Sequence, residues 1–292
     1  MDMRPRRSVL FLPASNPKAL AKARELDADV VILDLEDAVA PEAKDAARDA
    51  AVAAVRAGGW GRRELVIRVN GLDGPWGAAD LVAVAAAGPD AVLVPKVSDC
   101  AGLLAYDAAL ASAPVATRLW TMIETCAVVP ELNRLAALAF STRLAAFVVG
   151  TNDLAKDMRA QLRPGRAPFL PVLTAAVCAA RAHGLSVIDG VCNEFRDLEA
   201  LTREAEQGLE FGFDGKSLIH PDQIGPCNAV FSPSADELSK ARAIVAAFAD
   251  PEHAGKGAIR LDGGMVELLH LDQARRTLAI AAAIAGDQPN AR

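Results

Sequence analysis

Cysteine is scarce in this chain and scattered along it. The five cysteines are an odd number, and no two of them form a Cys-x-x-Cys pair. Disulfide-rich secreted domains carry an even set, and thiolate metal sites need closely spaced pairs. We therefore expect neither a disulfide framework nor a cysteine-based metal site. The pattern fits a protein of the reducing cytoplasm.

The chain also lacks a net positive charge and long apolar stretches. The net charge is -6 at pH 7, and the basic residues form no long run. Nucleic acid and anionic membranes are therefore poor candidates as partners. No apolar stretch approaches the roughly 20 residues of a membrane-spanning helix. No Gly-x-Ser-x-Gly elbow is present, which removes the commonest type of serine hydrolase.

Short apolar runs alternate regularly with amphipathic segments along most of the chain. Eight runs are predicted to be strands, each followed by a helical pattern at the spacing of βα units. They cover about residues 8–14, 30–37, 64–70, 91–97, 118–125, 144–150, 186–191 and 214–219. Eight such units close a barrel, so the predicted fold class is α/β, a (β/α)8 TIM barrel. The barrel domain is predicted at residues 1–231, with a C-terminal helical segment at 232–292.

Two carboxylates follow neighbouring predicted strands in the middle of the chain. Glu124 ends one strand, and Asp153 comes just after the next. Because the C-terminal strand ends of a barrel share one mouth, the pair could hold a hard cation, and magnesium suits two oxygen ligands. The alternative is that each acid caps a helix or pairs with Arg68. Zinc would need nitrogen or sulfur ligands, and only Cys126 is near.

Arg68 and Asn70 lie two residues apart at the end of the third strand. This spacing directs both side chains to one face, into the barrel mouth. There the guanidinium could hold a carboxylate or a developing oxyanion. A buried ion pair with Glu36 or Asp37 is a compatible alternative.

Lys96 follows the fourth strand and could act in two ways. It could form a Schiff base, or it could be a charge partner or phosphate contact. We favour the second interpretation, because a metal site makes an imine unnecessary.

Gly150, Thr151 and Asn152 lead from the sixth strand into a helix. Their backbone N–H groups could bind an anionic carboxylate, although an ordinary helix N-cap has the same composition. His220, after the last strand, is expected to be a structural hydrogen bonder. The long connection from Met158 to Pro171 lies on the predicted active face, where long loops are often functional.

These residues stand in motifs that resemble the citrate lyase β-subunit-like group of the HpcH/HpaI aldolase superfamily, which includes malyl-CoA and citramalyl-CoA lyases. The motifs run in order over nearly the whole chain. They are Arg6–Pro13, Leu33–Val39, Arg68–Asn70, Pro95–Lys96, Ile123–Thr125, Gly150–Leu154, Ile188–Val191 and Gly215–Ile224.

The resemblance implies a magnesium-dependent barrel that splits a 3-hydroxyacyl thioester into an acyl thioester and a 2-oxo acid. It makes Glu124 and Asp153 the metal ligands and lets Arg68 steady the enolate oxygen. Glu36 and Asp37 would organise Arg68 and metal-bound water. A divalent ion and an arginine each suit the charge that develops in a retro-aldol step.

The resemblance also assigns a role to the C-terminal segment. In the family this segment is a lid whose carboxylate reaches the site of a neighbouring subunit, which implies a homo-oligomer, a trimer or hexamer. The matching carboxylate here is Glu267, where many relatives have Asp. The alternative is that Glu267 is an acid of the last helix's first turn, favoured by the helix dipole.

The leading functional prediction is a carbon-carbon lyase that acts on malyl-CoA or citramalyl-CoA. Three alternatives stay open: a citrate lyase β-subunit acting on an acyl-carrier-protein thioester, a thioesterase on the same scaffold, and a non-catalytic binding protein. The expected partners are an acyl-CoA thioester and a small 2-oxo acid. The sequence does not distinguish glyoxylate, pyruvate and oxaloacetate.

Overall fold

The computed structural model describes residues 4–286 and contains a closed barrel of eight parallel strands in chain order. The first and last strands pair, which closes the barrel. The strands are β1 Ser8–Pro13, β2 Val30–Asp34, β3 Glu64–Arg68, β4 Ala91–Val94, β5 Arg118–Ile123, β6 Leu144–Val149, β7 Ser186–Asp189 and β8 Gly215–Leu218. The predicted TIM barrel is confirmed.

Helices follow the strands, as the βα pattern predicts. Those of the barrel unit are α1 Pro17–Ala23, α2 Lys44–Ala57, α3 Gly77–Ala87, α4 Cys100–Ala109, α5 Leu132–Ala137, α6 Thr151–Met158, α7 Leu170–Ala182, α8 Leu198–Phe211 and α9 Ile224–Val230. Asn16 caps α1, and Pro17 occupies the first turn, as predicted. None of the helices within residues 4–286 has the length and apolar character needed to cross a membrane.

The barrel interior is filled by apolar side chains from alternate strand positions. Trp120 and ten other buried residues form one cluster, and Phe11 packs against it. This alternation also directs Asp34, Arg68 and Glu124 inward, because each lies two residues after a member of the cluster.

At the N-terminal strand ends, the buried pair Arg7 and Asp29 forms a fork. Arg7 Nε donates to Asp29 Oδ2 at 2.8 Å, and Nη2 donates to Oδ1 at 2.8 Å.

Several strands end earlier than predicted, and the shortfall is at the functional end. β2 stops at Asp34 rather than at residue 37, because the Asp34 carboxylate accepts the N–H groups of Glu36 and Ala38 at 2.9 and 3.1 Å and turns the chain. β4 stops at Val94, and Lys96 has a left-handed backbone with φ 52°. Glu36, Asp37 and Lys96 therefore lie in loops beyond the strands.

A second compact unit runs from Val230 onward and includes Arg4 and Pro5. It contains α10 Ala235–Ala249, the antiparallel strands β9 Ala258–Leu261 and β10 Gly264–Glu267, and α11 Leu268–Ala285. Sequence reasoning missed this hairpin, although its Asp262-Gly263 turn, with φ 48° and 79°, is a strong hairpin signal. The boundary at residue 231 and the roles given to the C-terminal segment stay predictions.

Candidate active site

Asp34 is the main partner of Arg68. The two residues are register partners on β2 and β3. Arg68 Nε donates to Asp34 Oδ1 at 2.7 Å, and Nη2 donates to Oδ2 at 2.6 Å. Asp34 also accepts two backbone N–H groups of its own turn. Sequence reasoning left Asp34 out of the site, although its place at the end of β2, opposite Arg68, was a usable signal.

Arg68 also contacts the two acids that sequence reasoning proposed as partners. Its Nη1 lies 2.9 Å from Glu36 Oε2 and 3.5 Å from Asp37 Oδ2. The guanidinium carbon lies 5.2 Å from the ring centre of Phe11. Burial opposes the charge, but the hydrogen bonds and the charge of Asp34 outweigh it and raise the pKa of Arg68. The result is a fixed cation at the mouth, held in place by acids.

Lys96 connects two of the acidic groups. Its Nζ pairs with Glu36 and lies 3.6 Å from Asp37, while its backbone N–H donates to Glu124 Oε1 at 2.8 Å. Burial lowers the pKa of Lys96, but the hydrogen bond and charge of Glu36 outweigh it, so the net pKa is raised. A lysine held protonated is a poor imine nucleophile, which favours the charge-partner interpretation.

Glu124 is a buried carboxylate with one oxygen committed to Lys96. It is 1% exposed, and burial, followed by the charge of Glu36, raises its pKa to about 7. Asp153, in the first turn of α6, adds to this effect. A nearby cation would stabilise the charged form of Glu124.

The space beside the second oxygen of Glu124 depends on a glycine. A Cβ added at Gly150 would lie 2.5 Å from Glu124 Oε2 and 2.6 Å from Glu124 Cβ. Within residues 4–286, no group of three or more His, Cys, Asp or Glu side chains is placed to hold a metal. Magnesium often takes only one or two protein carboxylates and fills its other positions with water and substrate. The buried carboxylate of Glu124 suits such a site, and the assignment of Glu124 and Asp153 as the ligands stays a prediction.

We expect Gly150→Ala to disrupt this arrangement. The added methyl group would push on Glu124, so it should cost about 1–3 kcal/mol of stability, as overpacking does, and weaken magnesium binding. Thermal unfolding with and without magnesium measures both effects. Gly225→Ala is the matched control, because a Cβ there meets nothing within 4 Å. A normal magnesium shift in Gly150→Ala would contradict this account of the glycine.

The start of α6 carries groups suited to an anion. Thr151 is 1% exposed, and its Oγ1 has no hydrogen-bond partner among the described residues. Gly150 is the N-cap and supplies no side-chain bond to the first N–H groups, which helix geometry leaves without intrahelical partners. Asn152 differs, since its exposed amide exchanges two hydrogen bonds with Asn193, at 3.1 and 2.8 Å. This pair uses one donor and one acceptor site of the Asn152 amide and leaves one of each, so its predicted contact with a substrate stays a prediction.

The side-chain amide of Asn70 has partners other than Arg68. β3 ends at Arg68, so the strand alternation does not extend to Asn70. Its Nδ2 donates to Leu35 O and Asp80 Oδ2, and its Oδ1 accepts from Lys44 Nζ. These bonds use both donors and one acceptor site of the amide, so Asn70 supports the loops, and its contact with a substrate stays a prediction.

Glu267 and His220 are both N-cap residues. Glu267 lies in the second unit, at the last position of β10 and directly before α11, and its backbone N–H donates to His270 Nδ1 at 2.9 Å. Its predicted lid role stays a prediction. His220 accepts the N–H of Asp222 at 3.2 Å, as expected of a structural hydrogen bonder.

The long connection after α6 is anchored by an ion cluster that sequence reasoning missed. Arg166, in a left-handed conformation, donates from Nη1 to both oxygens of Asp189 at 2.7 and 2.9 Å. Lys216 Nζ also donates to Asp189, at 3.0 Å. All three side chains are buried. The loop end is thus tied to the C-terminal end of β7.

Residues 7–221 match the family model described as HpcH/HpaI aldolase/citrate lyase. A (3S)-malyl-CoA thioesterase of Cereibacter sphaeroides (strain KD131) is 48% identical over 281 residues, 96% of each chain. An L-malyl-CoA/beta-methylmalyl-CoA lyase of the same species (strain ATCC 17029) is 34% identical over 297 residues, 93% of each chain. The crystal structure of protein CitE from Mycobacterium tuberculosis, in complex with magnesium, acetoacetate and coenzyme A, has a TM-score of 0.78 at 28% identity, covering 96% of this chain and 99% of that one.

Proposed function

This chain belongs to the HpcH/HpaI aldolase/citrate lyase family, and we propose that it is a magnesium-dependent enzyme that hydrolyses a malyl-CoA-type thioester. The observation that carries this proposal is the 48% identity to a (3S)-malyl-CoA thioesterase across 96% of both chains. The predicted lyase activity becomes the second candidate, favoured by the 34% identity to a malyl-CoA lyase. Both reactions act on the same substrate class.

Glu124 and Asp153 are the residues that would hold magnesium. Two observations support this assignment. Burial raises the pKa of Glu124, so a nearby cation would stabilise its charged form, and Gly150 leaves space beside its Oε2. The solved relative that contains magnesium and coenzyme A is consistent with this assignment. When bound, the ion supplies Lewis-acid polarisation of a substrate carbonyl.

The chain's own residues bind and orient the rest of the substrate. The first N–H groups of α6 and the Thr151 hydroxyl, which has no hydrogen-bond partner within residues 4–286, suit the free carboxylate of the malyl group. Arg68 has five N–H donors, and its contacts with Asp34 and Glu36 leave N–H groups that can reach a substrate oxygen. Because acids fix the guanidinium, little reorganisation is needed when negative charge develops.

Asp37 is the acid of this cluster best placed to orient water. Its side chain is 55% exposed, whereas that of Glu36 is 8% exposed and paired with both cations. In hydrolysis, the water oxygen bonds to the thioester carbon, its proton passes to Asp37, and the C–S bond breaks to release the CoA thiolate. We therefore assign Asp37 as the base.

One assay separates the two candidate reactions. The purified protein is incubated with magnesium and (3S)-malyl-CoA, and the products are followed by a thiol reagent and by mass spectrometry. Hydrolysis gives malate and CoA, which has a free thiol. The lyase reaction gives acetyl-CoA and glyoxylate, with no free thiol. Magnesium-dependent thiol release supports the thioesterase; glyoxylate without thiol supports the lyase; neither product rejects both.

Glu267 is proposed to contribute an acid/base group from the C-terminal segment. Glu267→Gln should lower malyl-CoA turnover on the order of 100-fold, because it removes a proton-transfer group, and Glu267→Asp should keep partial activity. Magnesium binding should not change in either variant. Steady-state kinetics and magnesium-dependent thermal shifts test this. Full activity in Glu267→Gln would leave Glu267 as only the N-cap of α11.

A further inference from the structure

Lys44 is a buried lysine that the proposed reaction does not use directly. It is the first residue of α2 and is 6% exposed. A cation at a helix N-terminus is opposed by the helix dipole, and burial of an ammonium group is costly. A neutral residue would avoid both costs. The contacts of Lys44 therefore indicate why a charged side chain stands at this position.

Three hydrogen bonds use all the N–H donors of the Lys44 ammonium group. Nζ donates to Leu35 O at 2.8 Å, to Glu36 O at 2.7 Å and to Asn70 Oδ1 at 2.8 Å. None of these acceptors is a carboxylate. Two of them are consecutive backbone carbonyls of the turn between β2 and α2.

Asn70 bonds to the same turn. Its Nδ2 donates to Leu35 O at 3.0 Å and to Asp80 Oδ2 at 2.6 Å. The carbonyl of Leu35 thus accepts from both Lys44 and Asn70. Lys44 and Asn70 also bond to each other, so the two side chains form one hydrogen-bonded pair that supports the turn.

The Lys44–Asn70 pair holds the backbone of Glu36, whose side chain pairs with Arg68 and Lys96. The Glu36 N–H donates to Asp34 Oδ1 at 2.9 Å, and the Glu36 carbonyl accepts from Lys44 Nζ and from Val39 N at 2.7 and 3.0 Å. With its backbone held on both sides, Glu36 directs its carboxylate to Arg68 and Lys96.

We propose that Lys44 is a positioning residue, which holds the Asp34–Val39 turn so that Glu36 and Asp37 meet Arg68 and Lys96 in the reactive geometry. The structural part of this inference stands on the hydrogen bonds of Lys44. The effect on the reaction rests on the proposed function.

Hydrogen–deuterium exchange tests the structural part without any substrate. Lys44→Met removes the three donors and keeps an extended side chain. In this variant the amides of Glu36, Ala38 and Val39 should exchange at least about fivefold faster. The loss of hydrogen bonds to a charged group destabilises the turn by enough to change the exchange rate by this factor or more. Arg56→Met is the control, since Arg56 is an exposed basic residue in the last turn of the same helix, α2. Equal exchange of the turn in wild type and Lys44→Met would overturn the inference.

Kinetics test the part that concerns the reaction. Lys44→Met should lower kcat by roughly 10- to 100-fold, comparable to the loss of an outer-shell partner, with KM changed less than about threefold. Lys44→Arg should recover part of the loss. In a Glu36→Gln background, Lys44→Met should cost less than about threefold more, because both changes act through one group.

Two results would overturn this role for Lys44. One is a lowered Tm with unchanged kcat, and the other is the full loss of kcat repeated in the Glu36→Gln background. If Lys44→Met does not fold, Lys44→Gln, which keeps two N–H donors, carries the same exchange and kinetic comparisons. If the wild type fails to turn over malyl-CoA, the proposed function fails, and the exchange experiment still decides whether Lys44 holds the turn.

Discussion

Glu124→Gln should abolish magnesium-dependent turnover while leaving the barrel folded. The amide keeps the shape of the side chain and can still accept the Lys96 N–H, but it loses the negative charge that the metal needs. We expect magnesium affinity to fall by at least roughly 100-fold, the upper end of what even outer-shell partners cost. Calorimetry and the magnesium-dependent shift in Tm measure this loss.

The stability of this variant supplies a check on folding. Burial raises the pKa of Glu124 to about 7, above its usual value, so its ionisation lowers the free energy of unfolding as the pH rises from the usual carboxyl range to about 7, and the full loss is present above that pH. At pH 8, with a chelator present, Glu124→Gln should therefore unfold at a Tm no lower than that of the wild type. Glu199→Gln is the control, because the Glu199 side chain is 91% exposed. An undiminished magnesium shift in Glu124→Gln would remove Glu124 from the metal site.

Arg68→Lys should lower kcat by about 100- to 1000-fold, the cost of losing one preorganised donor to a developing oxyanion. Lysine keeps the charge but cannot make the fork to Asp34 and also reach Glu36. Because the lost interaction strengthens in the transition state, KM should change much less than kcat. Steady-state kinetics on malyl-CoA measure the two constants separately.

Arg7→Lys is a matched control for this substitution. Arg7 and Asp29 form the same Nε and Nη2 fork, also buried, but at the N-terminal strand ends. Both variants should lose stability, since each disturbs a buried ion pair. Only Arg68→Lys should lose kcat. Equal losses of kcat in both variants would mean that the effect of Arg68 is structural.

Much of the barrel could be predicted because its signals are local. Each strand is a short apolar run followed by a helical pattern, so eight βα units could be counted without any tertiary contact. The ordered motifs carried the family resemblance, which the family match and the relatives confirm. The same reasoning ranked lyase above thioesterase, whereas the 48% identical relative favours the thioesterase.

The partners of the site residues were harder to predict because they depend on register and on loop conformation. Asp34 meets Arg68 only because β2 and β3 align these two residues. Asn70 lies two residues beyond the end of β3, and strand alternation does not predict that its amide joins Lys44. No pattern near Lys44 indicates that its ammonium group lies behind the acidic turn.

The sequence thus determined which residues can do chemistry and at which end of the barrel they lie, since apolar alternation and βα order require nothing beyond neighbouring positions. The tertiary structure decided which of those groups form hydrogen bonds and ion pairs with one another. Asp34, Glu36 and Lys96 hold Arg68 and Glu124 in place, while Asp37 and Thr151 keep groups that are solvent-exposed or unpartnered among the described residues. The physical reason is that hydrogen bonds and ion pairs join residues far apart in the chain, so their pairing is set only when the strands close and the loops fold over them.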